Sequence, residues 1–265
     1  MVTLLYHSRS VGYVCKRIAT NSGGKISAVC DRMNLPARLD GTIIRWDSYV
    51  PLQADRTINT REAILLSRNK KAARLAMREL SPTTWIRYRD LGYPCLIRPK
   101  RHYAARNFFI CHNRGEAWRV IQRRYRRWYA SPIIAKKFEY RVFVFQGYVT
   151  KVVRRFHDDL EQVAWNIANG GRSARLKHES WPIDCVKKVI LAGRRLTLDW
   201  FAADVMVDDA GRSFVSELNT APGLQRDTTI KNLSKIFIWA GEHEVPPLND
   251  LMGDTWKSYI HPALQ

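Results

Sequence analysis

Residues 198–224 read LDWFAADVMVDDAGRSFVSELNTAPGL, two extended apolar segments around a polar turn. Asp204 lies on the first segment, and Glu217 and Asn219 lie on the second. Asp208-Asp209-Ala210-Gly211 supplies the turn signal. A hairpin that pairs Asp208 with Ser213 also pairs Met206 with Val215 and Asp204 with Glu217. Directly opposed residues of an antiparallel pair share a face, with Cβ atoms roughly 4.5–5.5 Å apart. Asn219, two residues beyond Glu217, shares that face. Two carboxylates and an amide oxygen then converge among apolar neighbours. Like charges that close repel unless a cation sits between them. An oxygen-liganded Mg²⁺ with phosphates on its open positions suits such a set.

Upstream of the hairpin, Pro182 opens a helix that carries Val186, Val189, Ile190 and Gly193 on one side and Lys187, Lys188, Arg194 and Arg195 on the other. Before it, Trp165 to Gly171 is a polar loop ending in two glycines, which permit close backbone approach. Tyr140 to Phe145 and Tyr148 to Val153 flank Gln146-Gly147, a second hairpin. Arg154 and Arg155 close that hairpin. Paired guanidiniums at a strand end suit a carboxylate or a phosphate, being planar, bidentate and always charged. Downstream, Asn232 to Ala240 predicts a short helix, and the tail with Pro246, Pro247 and Pro262 reads as irregular.

Further towards the N-terminus, Asn113-Arg-Gly-Glu116 is a capping-box pattern that predicts a helix to about Tyr129. Its apolar stripe is Trp118, Ile121, Tyr125 and Trp128, and its other face is rich in arginine. Cys95-Leu-Ile and Phe108-Phe-Ile-Cys111 predict two strands around a basic tip of Arg98, Lys100, Arg101, His102 and Arg106. That tip either folds over phosphates or is a solvated turn. Residues 60–80 predict one helix, with Asn59 and Thr60 as caps and Leu65, Ala72, Leu75, Ala76 and Leu80 at helical spacing. Its Arg68-Asn-Lys-Lys run is a solvated face unless Lys70 meets a phosphate. Residues 1–60 show one clear strand, Gly41-Thr-Ile-Ile-Arg-Trp, and suggest a small α/β cap leaning on the rest.

The composition bounds the class. With 46% apolar residues in 265, the chain is globular and can bury a sizeable core. No apolar run reaches the roughly 18 residues of a membrane span, and no signal-peptide pattern opens the sequence. A soluble, cytoplasmic protein without a membrane partner is expected. Five scattered cysteines without a CxxC favour reduced structural thiols over a zinc site or a disulfide framework. The 44 Lys and Arg against 24 Asp and Glu give +20, which draws in polyanions: nucleotides, nucleic acid or an acidic protein.

Taken together, Glu139 to Leu224 resembles the ATP-grasp carboxylate–amine ligases, in particular the branch of ribosomal-protein glutamate ligases and their bacteriophage-encoded relatives. Glu139-Tyr140-Arg141 is similar to the family's strand opening, and Arg154-Arg155 to its strand end. Asn166 to Gly171 is similar to its Asn-containing loop. Ala203-Asp204-Val205 and Glu217-Leu-Asn-Thr-Ala-Pro-Gly223 are similar to its two metal-strand signatures. Asn69-Lys70, Ile97-Arg98-Pro99 and the loop from Arg101 to Arg106 resemble its upstream phosphate elements, and Arg45-Trp46-Asp47-Ser48 sits where phage relatives have an Asn-Trp-Gly turn. The chain departs from the pattern at Ala104, Ala105 and Asn107, where relatives carry glycines, at Arg98, where they carry Lys, and before Ile134, where the usual glutamate is missing.

The resemblance implies an α+β ATP-grasp fold in which two lobes grip a nucleotide, with residues 1–60 as a small N-terminal α/β region. The core is expected over 61–240, divided into 61–135 and 136–240, with an irregular tail over 241–265. It implies Asp204, Glu217 and Asn219 as ligands of Mg²⁺. It also implies Lys70, Arg98, His102, Arg106, Ile134, Lys136, Lys137, Glu139 and Arg141 around ATP. Arg154, Arg155 and Asn166 are the implied contacts of a substrate carboxylate or acylphosphate. The implied reaction joins a carboxylate to an amine, or to a thiol, through an acylphosphate. Location in the host cytoplasm follows if the chain is phage-encoded. The competing expectation is a basic nucleic-acid-binding protein on a catalytically reduced ATP-grasp scaffold, favoured by the charge and the altered loop.

Overall fold

The computed structural model describes residues 1–101, 108–123, 127–159, 162–163, 165, 170–224, 226–244 and 256–264. The chain opens with four parallel strands in the order β2-β1-β3-β4: β1 (Val2–Tyr6), β2 (Ile26–Cys30), β3 (Arg38–Trp46) and β4 (Gln53–Ile58). Helix α1 (Arg9–Thr20) crosses between the first two, and Ser8 caps it by accepting a hydrogen bond from the Val11 amide. Every residue of β1 is buried, so it carries no polar alternation for a sequence reader to detect.

The predicted helix over 60–80 is two helices, α2 (Arg61–Arg68) and α3 (Lys70–Met77). Asn69 ends the first and starts the second, with its side chain accepting from the Ala72 amide. The break resets the helical phase. Ala73, Arg74 and Met77 are buried, while Leu75, expected in the core stripe, is 44% exposed. A three-stranded antiparallel sheet follows, with β5 (Cys95–Pro99) between β6 (Phe109–Cys111) and β7 (Trp128–Pro132). Helix α4 (Arg114–Gln122) begins at the expected cap, where the Glu116 amide donates to the Asn113 side chain and the Glu116 carboxylate accepts from the His112 amide. It stops earlier than its arginine-rich sequence suggests. Trp128 belongs to β7, and Trp118 is half-exposed instead of lining a core stripe.

The third sheet has the order β10-β9-β8-β11-β12 and is antiparallel throughout. Its strands are β8 (Lys136–Phe145), β9 (Tyr148–Phe156), β10 (Arg172–Arg175), β11 (Trp200–Asp208) and β12 (Ser213–Asn219). Gln146 and Gly147 both take positive φ, as a two-residue hairpin turn requires. Helix α5 (Ile183–Arg195) covers one face, burying Val186, Val189 and Ile190 against Val142, Val144, Ala203, Val205 and Val215.

The other face is divided. Its apolar half, Phe143, Phe145, Trp200 and Ala202, packs with the N-terminal sheet and helix α6 (Asp227–Glu242). Trp46, Trp200, Phe145 and Phe237 join these layers, with ring centroids 5.1 Å apart for Trp46–Trp200 and 5.2 Å for Phe145–Phe237. Residues 256–264 seal the seam: Ile260 bridges to Val149, and Tyr259 and His261 are fully buried. The polar half of the same face is left for chemistry. No helix among the described residues is long and apolar enough to cross a membrane.

Candidate active site

Two β-bulges decide which side chains reach the polar half-face. Asp204 pairs with Glu217, but Val205 pairs with Val215, so Ser216 is an extra residue in β12. Met206 therefore faces Phe214 and Val207 faces Ser213, not the partners a bulge-free hairpin predicts. The shift sends Val215 and Leu218 into the core under α5 and leaves Glu217 on the opposite face with Asp204. In β8, Phe138 pairs with Val207 and Lys136 with Asp208, so Lys137 is the extra residue. That puts Lys136 on the side of Glu139 and leaves Lys137 exposed.

The result is a continuous chain of charge. Arg141 forks onto Asp204, Nε to Oδ1 at 2.6 Å and Nη2 to Oδ2 at 2.8 Å. Arg155 spans Asp204 Oδ1 at 3.1 Å and Glu139 Oε1 at 2.5 Å. Glu139 Oε2 accepts from Lys136 Nζ at 2.7 Å, and that ammonium also reaches the Val163 carbonyl and the Trp165 ring. Burial works against the Asp204 carboxylate, but Arg141 and Arg155 outweigh it and hold its pKa down at about 2. Burial likewise opposes the Arg155 charge, and Asp204 and Glu139 reverse the effect and raise its pKa. Lys136 has its pKa lowered, with burial outweighing Glu139.

A second set of cations comes from α2 and α3. Ser67 Oγ and Lys70 Nζ both donate to the Leu218 carbonyl, at 2.9 and 3.0 Å. Arg74 Nε donates to the Ser216 carbonyl at 2.8 Å, which is the carbonyl the bulge displaces from the ladder. Lys70 Nζ also stands 3.9 Å from Glu217 Oε2. Arg74 is 2% exposed and lies against the Tyr129 ring, and burial first, then Arg98 nearby, brings its pKa down to about 10. Arg74 Nη1 and Arg98 Nε are both buried without a hydrogen-bond partner. Arg98 acts electrostatically on Arg74 and on Lys136 alike, so it stands between the two cation sets.

The structure thus gathers Lys70, Arg98, Lys136, Glu139, Arg141, Arg155, Asp204, Glu217 and Asn219 about one polar surface. Asn219 continues the face opposite Ala202, and its Oδ1 accepts from the Ala221 amide. Arg154 is separated from this group. It points to the other side of β9 and lies over Phe138 and Phe156, 4.5 and 4.8 Å from the ring centroids. Ile134 is half-buried in the link between β7 and β8, and Lys137 lies 5.8 Å from the Phe138 ring. His102, Arg106 and Asn166 lie outside the described residues, as do Arg124 and Arg126 of the basic segment after α4. Arg74 escaped the sequence reading because an unbroken helix places it away from the core stripe. The signal that finds it is Asn69, read as an internal cap.

The donor set fits a small hard cation that keeps open positions. Of the four acceptor sites of the Asp204 carboxylate the arginines occupy three, leaving one on Oδ2. Glu217 is directly opposite, and Asn219 adds an amide oxygen. Among the described residues no group of three His, Cys, Asp or Glu side chains could hold a metal alone, so further ligands must come from elsewhere, as Mg²⁺ takes them from phosphate and water. The orphaned nitrogens of Arg74 and Arg98 fit an anion beside it.

No protein-family model matches the sequence, and no curated protein matches it. Solved structures do. The ATP-grasp ligase PsnB, complexed with minimal precursor, Mg and ADP, superposes with a TM-score of 0.67 over 91% of this chain and 98% of that one, at 11% identity. D-alanine–D-alanine ligase from Bacillus anthracis gives 0.61 over 91% and 97%, at 14% identity. The D-cycloserine synthetase DcsG gives 0.61 over 89% and 100%, at 12% identity. The chain therefore has the ATP-grasp fold.

Proposed function

We propose that this chain is an ATP-dependent ligase that joins a carboxylate to an amine, or to a thiol, through an acylphosphate, as the ribosomal-protein glutamate ligases and their phage relatives do. The observation that carries the reading is the pair of orphaned, buried guanidinium nitrogens of Arg74 and Arg98 beside the opposed carboxylates Asp204 and Glu217. Buried guanidinium nitrogens without hydrogen-bond partners, near a carboxylate with one open acceptor site, suit a polyphosphate held with a divalent ion.

In this reading Lys70, Arg74, Arg98 and Lys136 bind the phosphates, the resemblance adds His102 and Arg106 as further phosphate contacts, and Ile134, Lys137 and Glu139 serve the nucleoside. Asp204, Glu217 and Asn219 would hold Mg²⁺, which would neutralise the charge of the phosphates. A substrate carboxylate oxygen attacks the γ-phosphorus, and the bond to the β–γ bridging oxygen breaks to release ADP. The amine nitrogen then attacks the acyl carbon, phosphate leaves, and the surplus proton goes to solvent. Arg155, on the site face, is the guanidinium for the activated acyl group, and the resemblance adds Asn166 as a second contact. Arg154 has no such role, because it faces away. Arg141 orients Asp204.

The test is thermal melting of the whole chain with ADP, with and without Mg²⁺. A Mg²⁺-dependent rise in Tm that disappears in Glu217→Ala is expected. No response to ATP or ADP with Mg²⁺ at millimolar concentration rejects the reading.

A further inference from the structure

The half-face that carries Asp204 has a second, separate concentration of charge. The register runs Glu217–Asp204–Arg141–Val153–Arg175 across all five strands, so these residues form one row on one face. Arg175 is thus three strands from Asp204, or roughly 14 Å at the usual strand spacing. Lys151 lies two residues along β9 from Val153, on the same side, over the Phe143 ring. Its Nζ donates to Thr229 Oγ1 at 3.0 Å, in the first turn of α6. Thr150, Lys151, Arg175, Thr229, Asn232 and Leu233 line a recess of about 10 Å³, room for about one water, and Arg175 also borders a separate open groove of about 340 Å³ lined by residues 175–179.

What marks the place is the missing counter-charge. Burial first, then Arg175 and Arg226, bring the Lys151 ammonium down to about 8. No carboxylate lies within salt-bridge distance of Lys151, Arg175 or Arg226 among the described residues. The adjacent acid in sequence, Asp227, is paired with Arg17. Two exposed arginines thus act on a half-buried lysine with no carboxylate to offset them, and such arrangements collect at binding sites. The positive end of the α6 dipole adds to the same field.

We propose that Lys151, Arg175, Arg226 and Thr229 form an oxyanion subsite that takes a second acidic group, carboxylate or phosphate, on the substrate whose reacting group lies by Asp204 and Glu217. The identity of that reacting group rests on the function proposed above; the subsite itself does not. The substrate class is then a molecule with two acidic ends, or an acidic end and an amine, on the order of 10 Å apart, about two to three strand spacings.

The test reads Lys151 directly in the full chain. Acetic anhydride labels free amines, and mass spectrometry follows the rate at Lys151 with exposed Lys25 as the internal reference. Inorganic phosphate and glutarate are the probes, at ionic strength fixed with sodium chloride. Saturable protection of Lys151 by phosphate, by glutarate or by both is expected, with Lys25 unaffected, and the stronger protector identifies the oxyanion. Arg175→Gln, an exposed position, should raise the half-protecting concentration at least tenfold, and Arg226→Gln should raise it in the same direction. No protection in wild type, or protection in both variants identical to wild type, overturns the subsite. Protection that survives in Glu217→Ala while the ADP response is lost separates this site from the nucleotide site. If wild type shows protection but ignores ADP and Mg²⁺, the ligase reading fails and the subsite stands.

Discussion

Asn59 clasps Trp200. Its Nδ2 donates to the Trp200 carbonyl at 2.6 Å, and its Oδ1 accepts from the amides of Trp200 and Asp199 at 3.0 and 2.8 Å. The residue is fully buried at φ 64°, where Asn is tolerated better than Ala. It fastens the end of the N-terminal sheet to the strand that bears Asp204. Asn59→Ala leaves buried amides and a carbonyl without partners and is expected to cost about 3 kcal/mol in urea unfolding, from the usual penalty for unsatisfied buried groups plus left-handed strain. Asn59→Gly should cost less than Asn59→Ala, because it loses the same side-chain hydrogen bonds but carries no left-handed strain. Equal stability of all three proteins would contradict the clasp.

Arg154 and Arg155 are neighbours in sequence with opposite surroundings. Arg155→Gln removes a partner from both Glu139 and Asp204, yet Lys136 and Arg141 remain on them. A loss of about 1–3 kcal/mol follows, below the full penalty for stranding a buried charge. Arg154→Gln gives up stacking on Phe138 and Phe156 worth about 0.5–1 kcal/mol. Substrate turnover should collapse in the first variant and persist in the second. Persistence in both would remove Arg155 from the acyl site.

Arg74→Met tests the cation that the sequence hid. Losing a charge-assisted contact to phosphate is worth about 1.5–3 kcal/mol, so ADP affinity by calorimetry should fall roughly 10- to 100-fold. The far-ultraviolet circular dichroism of the variant should match wild type. Unchanged affinity would confine Arg74 to its hydrogen bond with the Ser216 carbonyl.

His261 makes stability depend on pH. Burial among Phe145, Tyr148 and Trp239 brings its pKa down to about 4 from an ordinary 6.5. The unfolded chain therefore binds this proton first as pH falls. The stability contribution is complete above pH 6.5, declines through the window down to about 4, and is constant below it. Over that span the loss amounts to about 3 kcal/mol at most. His261→Phe should flatten the fall in Tm between pH 7 and 4.5 relative to wild type. Parallel curves would place the acid sensitivity elsewhere.

How far the sequence could be read follows from what each element leaves in its residues. Asp204 opposite Glu217 was legible because alternating apolar residues and a glycine turn mark a hairpin. The bulges at Ser216 and Lys137 were not, since one extra residue leaves no compositional trace and still reverses every side chain beyond it. The parallel strand β1 was missed because burial on both faces removes alternation, β2 is only five residues long and mostly half-buried, and β4, Gln-Ala-Asp-Arg-Thr-Ile, is largely polar and partly exposed. Lys151, Arg175 and Arg226 are far apart along the chain, and only strand order and the start of α6 unite them. The buried segment 256–264 looked irregular by its prolines, and its place is set by contacts with Val149 and Tyr148 that no local pattern announces.

The donors from α2 and α3 have a consequence for handling the protein. β12 is an edge strand, and Ser67, Lys70 and Arg74 occupy carbonyls that another chain's amides could otherwise take. The side chains proposed to hold phosphate are therefore also guards against edge-to-edge aggregation. An inactive variant at Lys70 or Arg74 has to be checked for self-association by light scattering before its silence is assigned to chemistry.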